Sequence, residues 1–282
     1  MKFWKMHGAG NDFVLLDDRE RSLDDARLGA LAKSVCTRRF SLGADGLMVI
    51  RPAEGEGDFR LLFYNSDGSL GEMCGNGARC VCRWGYENGL SGETQRVETT
   101  AGLVTGRRVG ERVWRVRLND PGVVDLDRAV EVDGETYVCA YIELGVPGSP
   151  HAVLPWEDLQ NAPQDVLRPL ARRLRAHPAF PKGANVTFYE ILGPGRVFLR
   201  TFERGVEDFT NACGTGTGST VLALTLKGLL PGGADALMAG GTLRVDVDME
   251  NGQVKNLWLT GPTDLVAIGE LTDEDIAVFA SV

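Results

Sequence analysis

The chain repeats itself at half its own length. Two cysteines followed at once by Gly-x-Gly, in "EMCGNGARC" (72–80) and "ACGTGTG" (212–218), stand 213 − 74 = 139 residues apart in a sequence of 282. Other landmarks keep nearly that offset. "GAD" at 43–45 faces "GAN" at 183–185, and "FRLLFYN" at 59–65 faces "FLRTFER" at 198–204. Asn11 of "GAGNDFVLL" lies 140 residues before His151 of "GVPGSPHAVL". Four matches in near-constant register indicate an ancestral duplication, which requires both halves to share one chain path.

Local patterns support two copies of one unit. Short β-rich runs fill both halves: "FVLL", "LMVI", "RLLFY" and "VWRVRL", then "YVCAYIEL", "NVTFYEI", "VFLRTF" and "LRVDV". Each cysteine–glycine string opens a predicted helix. The first covers about 76–87 and stops at Asn88-Gly89; the second covers about 214–227 and stops at Gly228. Residues Val221 to Leu226 are apolar almost all round, which predicts a buried helix. The expected fold is α+β, with two pseudo-symmetric halves, each a curved, mostly antiparallel sheet wrapped round a buried central helix. Residues 1–120 with 263–282 form the half carrying Cys74, and 121–262 the half carrying Cys213. "NDPGVV" at 119–124 marks the turn between them.

A net charge of −9 argues against the basic footprint needed for nucleic acid or membrane surfaces. No apolar run reaches the ~18 residues of a membrane span. The start, "MKFWKMHGAGNDF", lacks the apolar core of a secretory signal, so a cytoplasmic protein is expected. Six cysteines in that setting are reduced thiols, serving chemistry or packing. Cys80 and Cys82 are expected to pack, and with Cys74 they lack metal-ligand spacing.

A cysteine in the first turn of a helix feels the positive end of the helix dipole, which favours thiolate. The glycines leave backbone N–H groups open, and such a terminus is an anion site. Two such termini holding one carboxylate would place its α-carbon between two sulfurs. That arrangement suits inversion of the carbon: a thiolate removes a proton from one face and a thiol returns one to the other. The oriented N–H groups stabilise the charge that develops on the carboxylate. Neither metal nor pyridoxal is called for. Neither glycine string has the Gly-Lys-Ser/Thr pattern of a phosphate-binding P-loop.

These same strings resemble the diaminopimelate epimerases, of the cofactor-independent amino-acid racemase superfamily. "FWKMHGAGNDF" (3–13), "YNSDGSLGEMCGNGARC" (64–80) and "FERGVEDFTNACGTGT" (202–217) carry the resemblance, which spans nearly the whole chain. It implies two similar α/β halves and conversion of LL- to meso-diaminopimelate, on the route to lysine and peptidoglycan. It implies Cys74 and Cys213 as the acid/base pair, with His151 and Glu203 tuning their protonation. Gly75, Asn76, Gly214 and Thr215 would hold the reacting carboxylate. Asn11, Asn65, Asn185, Glu203 and Arg204 would bind the rest of the substrate, Arg204 through a bidentate contact to a carboxylate. No cofactor and no metal are implied; the expected partner is a small amino-acid substrate, with a homodimer possible.

The chain departs from the family pattern at Ser149, where asparagine is usual, at Gly46, where glutamine often stands, and across 206–211, "VEDFTN". All three lie where substrate identity would be decided. A racemase of the same superfamily acting on another free amino acid, such as histidine, is therefore the alternative. A thiol redox or anion-binding protein would need only one of the two cysteines. His7 and His177 are expected to be structural or surface residues.

Overall fold

The structure, a computed structural model, describes residues 1–20, 23–71, 73–146 and 148–272. The chain forms two compact units. One comprises Met1–Val116 with the chain from Gly261 onward, the other Arg117–Thr260. The expectation for 273–282 lies outside the described residues.

Unit one opens with β1 (Lys2–Gly8) and β2 (Asn11–Asp17), antiparallel and joined by Ala9 and Gly10. Both linking residues have positive φ, 55° and 77°. That is the backbone a two-residue hairpin needs for its twist to match the strands, and Gly10 adopts it without strain. Helix α1 (Asp25–Val35) begins where the Asp24 side chain accepts the Arg27 N–H at 2.8 Å. It leads to β3 (Gly46–Arg51), parallel to β2, and then β4 (Phe59–Asn65), antiparallel to β3. Helix α2 (Gly75–Glu87) follows, then β5 (Thr94–Thr99), β6 (Gly102–Arg108) and β7 (Val113–Arg117).

Unit two begins with β8 (Pro121–Val132), β9 (Glu135–Gly145) and β10 (Gly148–Pro155), all antiparallel. Helix α3 (Gln164–Arg175) leads to β11 (Asn185–Gly193), parallel to β10. Strand β12 (Arg196–Glu203) turns back through the short β13 (Asp208–Phe209) into helix α4 (Gly214–Leu226). Strands β14 (Gly233–Met238), β15 (Gly241–Glu250) and β16 (Gln253–Pro262) complete the unit. The last described strand, β17 (Asp264–Glu270), pairs with β1 in unit one.

The duplication is visible as strand order. Unit one runs β17-β1-β2-β3-β4-β5-β6-β7 and unit two runs β8-β9-β10-β11-β12-β14-β15-β16. Each order has parallel pairs only at its third–fourth and fifth–sixth strands, where α1 and α2, or α3 and α4, make the crossovers. α2 packs on β1, β2, β5 and β6; α4 packs on β9, β10, β11, β14 and β15. Both are the buried centres of their units. Cys80, Val81 and Cys82 are fully buried, and Trp84 meets Trp4 edge-on at 5.1 Å. In α4, Val221 to Leu224 are buried, and the polar turns are satisfied internally. Thr217 Oγ1 donates to the Cys213 carbonyl at 2.7 Å and Thr220 Oγ1 to the Gly216 carbonyl at 2.8 Å.

Two local expectations change. "NDPGVV" is not a linker: Pro121 to Val124 belong to β8, and the unit boundary falls earlier, after Val116. Proline has no N–H for the ladder, and it is tolerated here as the first residue of its strand. Helices α1 and α3 carry no cysteine–glycine string and were not anticipated. Among the described residues, no helix is long and apolar enough to cross a membrane.

Candidate active site

Cys74 and Cys213 occupy the same place in the two units. Each is the N-cap of its helix, with extended backbone (φ −116°, ψ 116° and φ −112°, ψ 108°). The first helical bonds run from Ala78 N–H to the Cys74 carbonyl at 2.8 Å and from Thr217 N–H to the Cys213 carbonyl at 2.9 Å. The N–H groups of 75–77 and of 214–216 thus fall outside the helical ladder, at the positive end of the dipole. A carboxylate offered to either terminus meets donors without a side chain in front of the glycines.

The second glycine of each string serves close packing. A Cβ on Gly77 would collide with the Met48 methyl, and one on Gly216 would lie 3.1 Å from both Thr187 and Thr201 hydroxyls. These contacts seat each helix tip against its sheet.

In unit one the hairpin turn after β1 delivers Asn11 to the helix tip. Asn11 Oδ1 accepts from the Cys74 thiol at 3.4 Å and from Asn76 Nδ2 at 3.2 Å. Its Nδ2 donates to Asp45 at 2.6 Å, which fixes the orientation of the amide. Arg38 donates to Asp45 at 3.1 Å and also to Asp12, which Lys5 Nζ meets at 2.6 Å. Burial works to raise the Asp12 carboxyl, but the Arg38 and Lys5 contacts outweigh it and hold it below the usual range. Arg79, fully buried, donates to the Gly75 carbonyl at 3.3 Å and to Asn76 Oδ1 at 3.0 Å. Gly8 makes room for this: a Cβ there would lie 2.9 Å from the Asn76 carbonyl.

In unit two His151 takes the place of Asn11 and Thr215 that of Asn76. Thr215 Oγ1 lies 3.0 Å from His151 Nε2 and 3.7 Å from Cys213 Sγ. Nε2 also faces Ser149 Oγ at 3.3 Å and Asn185 Nδ2 at 3.5 Å. His151 is completely buried, and desolvation, with the Arg204 charge adding to it, pushes its imidazole down to about 3. It is a neutral ring at physiological pH. It therefore acts on Cys213 as a hydrogen-bonding group through Thr215, without a charge of its own.

Asn65 ends β4 and donates to Ser69 Oγ at 3.0 Å. Asn185 Oδ1 accepts the Arg204 N–H at 2.8 Å, tying the start of β11 to the end of β12. Arg204 is exposed, and its Nη1 donates to the Lys182 carbonyl at 2.7 Å. Glu203 and His151 both belong to unit two, and Glu203 Oε1 accepts from Thr210 Oγ1. The 206–211 segment is the tight return through β13: Glu207 has φ 58°, and its side chain pairs with Arg175 at 2.7 Å. Gly46 has no space for a side chain, since a Cβ would lie 2.4 Å from the Phe63 ring and 2.8 Å from the Tyr64 carbonyl.

Cys80 and Cys82 pack inside α2, where burial pushes both thiols up, Cys80 to about 12. His7 faces Asp264 at 3.9 Å, and His177 bonds the Glu131 carbonyl at 3.1 Å. Among the described residues, no group of three or more His, Cys, Asp or Glu side chains is placed to hold a metal ion. Two participants escaped sequence reading. Asp45 was visible only as the offset partner of Asn185, and Arg79 only as a charge inside a helix that the apolar pattern buries.

The profile of the family described as diaminopimelate epimerase matches residues 3–117 and 146–266. A diaminopimelate epimerase from Aquifex aeolicus is 38% identical over 290 residues, covering 97% of this chain and 99% of that protein. One from Desulforudis audaxviator is 39% identical over 283 residues, with 96% and 99% covered. Among solved structures, a phenazine biosynthesis protein of the PhzF family from Bacillus anthracis superposes with a TM-score of 0.73 at 14% identity, covering 96% of this chain and 99% of that one. A hydroxyproline epimerase from Agrobacterium vitis, with trans-4-hydroxy-L-proline bound, gives 0.69 at 17% identity, with 96% and 90% covered. The two structures share the fold, and the sequence matches settle the kinship: this chain belongs to the diaminopimelate epimerase family, a family of isomerases.

Proposed function

We propose that this protein interconverts LL- and meso-diaminopimelate by proton transfer at one α-carbon, with Cys74 and Cys213 as the acid/base pair. The observation that carries this is the repeated helix tip: in each unit an N-cap cysteine is linked to the residue that begins or lies within the neighbouring strand, directly to Asn11 or through Thr215 to His151. A thiolate takes the α-proton, and the C–H electron pair moves into the carboxylate. The N–H groups at 75–77 and 214–216 stabilise that added charge. The opposite thiol then gives its proton to the other face of the carbon. One proton enters and one leaves, and the two sulfurs have exchanged states, so the reverse reaction follows the same course.

Asn65, Asn185, Glu203 and Arg204 supply the polar groups for the remote amino-acid end of the substrate. We infer that the reaction serves lysine and peptidoglycan precursor synthesis in the cytoplasm. The test is incubation of the protein in D2O with LL-diaminopimelate, following deuterium at the α-carbon and the stereoisomers by chiral chromatography. Exchange accompanied by meso product is expected. Ser149 and Gly46 favour a second substrate class, so a panel of single L-amino acids, histidine included, is run alongside. Inversion of a panel member with diaminopimelate untouched would replace the proposal.

A further inference from the structure

The contacts around the two helix tips repeat position by position until the fifth residue after each cysteine. Asn11 matches His151, Asp45 matches Asn185 and Asn76 matches Thr215; the matched residues touch one another in both units. Arg79, 139 residues before Gly218, breaks the pattern. A Cβ on Gly218 would lie 2.5 Å from Leu118 Cδ1, with Leu144 and Leu257 close behind, so apolar side chains fill that space in unit two. In unit one it holds a guanidinium.

Arg79 is fully buried in the first turns of α2. It donates to the Gly75 carbonyl and the Asn76 side chain, while its Nε has no hydrogen-bond partner among the described residues. Burial lowers the guanidinium to about 10, leaving it cationic at neutral pH. A buried cation is costly unless an anion accompanies it. Cys80 and Cys82 act on Arg79, but burial keeps both thiols protonated. Cys74 is the third sulfur acting on it, and the least buried.

We propose that Arg79 is a positioning residue that makes Cys74 the thiolate of the resting protein, while Cys213, with glycine at the corresponding place, rests as the thiol. It rests on the two cysteines being the acid/base pair. Asn11, aimed by Asp45, accepts from the protonated Cys74 and serves the half of the cycle in which that sulfur holds the proton. Arg79 serves the other half through the Asn76 side chain and its own field. The neighbouring charges are accounted for. On β1 and β17, His7 faces Asp264; on β2, Asp12 is met by Lys5 and Arg38. Ahead of β3, Asp45 is met by Arg38; on α2, Arg83 is met by Glu87.

The test is the pH dependence of iodoacetamide alkylation on the full-length protein, with the Cys74 and Cys213 peptides quantified separately by mass spectrometry. In the wild type, half-maximal alkylation of Cys74 should fall at lower pH than that of Cys213. Arg79→Met should raise the Cys74 midpoint by about one to three pH units, slowing its alkylation at pH 7 roughly tenfold or more. The Cys213 profile should not move, and Arg79→Lys should restore most of the Cys74 profile. An unchanged Cys74 midpoint in folded Arg79→Met, or a wild-type midpoint lower for Cys213, overturns the proposal. If Arg79→Met does not fold by circular dichroism, the wild-type order and Arg79→Lys decide. Alkylation requires no turnover, so a protein that leaves diaminopimelate untouched refutes the function while still reporting on Arg79.

Discussion

The tips of α2 and α4 are built on one frame but carry different electrostatics. Both begin at an N-cap cysteine, pack a glycine against the sheet, and end on a glycine with φ near 70°. Around Cys74 the frame holds a carboxylate-anchored asparagine and a buried arginine. Around Cys213 it holds a neutral histidine and a threonine. Backbone geometry survived duplication because it positions the sulfurs and the N–H groups. The side chains one shell away were free to diverge, and they set the protonation of each sulfur.

The largest effects should fall where the two tips are alike. Cys74→Ala and Cys213→Ala should each lower inversion of LL-diaminopimelate by about 10²-fold or more, since general acid–base groups contribute on that scale. A variant that keeps wild-type turnover in the chiral assay would show that its sulfur is not in the pair. Next come the matched glycines Gly8 and Gly148. Gly8→Ala forces the first turn of α2 to shift and should slow turnover about tenfold to a hundredfold. Gly148→Ala instead meets the Glu143 side chain at 2.6 Å, beside the Glu143–Lys182 pair. Its cost should appear as about 1–3 kcal/mol in urea unfolding, with a smaller rate loss. Equal kinetic losses in the two would erase the distinction.

His151 gives an effect confined to unit two. Its folded-state value of about 3 lies below the unfolded value of about 6.5, so below pH 6.5 the unfolded chain binds a proton that the folded chain does not. The contribution is complete above pH 6.5 and is lost as pH falls towards 3. Between pH 6.5 and 5 the loss should be about 2 kcal/mol, absent in His151→Gln and read as the difference between their urea midpoints. Smallest and most alike should be Gly89→Ala and Gly228→Ala. Both positions have positive φ and open space around the missing Cβ, so each should cost about 1 kcal/mol through backbone strain alone. Costs that differ between the two helix ends would show that the duplicated caps no longer bear equal strain.

The sequence disclosed what depends on local pattern. The β-rich runs, the two central helices and the N-cap cysteines all followed from periodicity, glycine placement and the 139–140 residue offset. The same offset paired Asn11 with His151 and Asp45 with Asn185, which then proved to be neighbours in space. What stayed hidden depends on three-dimensional company. Arg79 reads as a helix-surface charge until α2 is known to be buried all round. His151 reads as a titrating group until its burial is seen to keep it neutral. Arg204 reads as an unengaged fork until Lys182 supplies a carbonyl to one arm. Pro121 signals a turn, yet it starts a strand whose ladder does not require its missing N–H.

Strand β17 belongs to unit one but is made after all of unit two. During synthesis β1 therefore stays an uncovered edge, open on the side away from β2, until nearly the whole chain has been translated. Domains generally fold in the order they emerge from the ribosome; here the second copy can finish first, and the Cys74 copy closes only when translation is almost done. A truncation that removes the chain from Asp264 onward would thus damage the unit that was synthesised earliest.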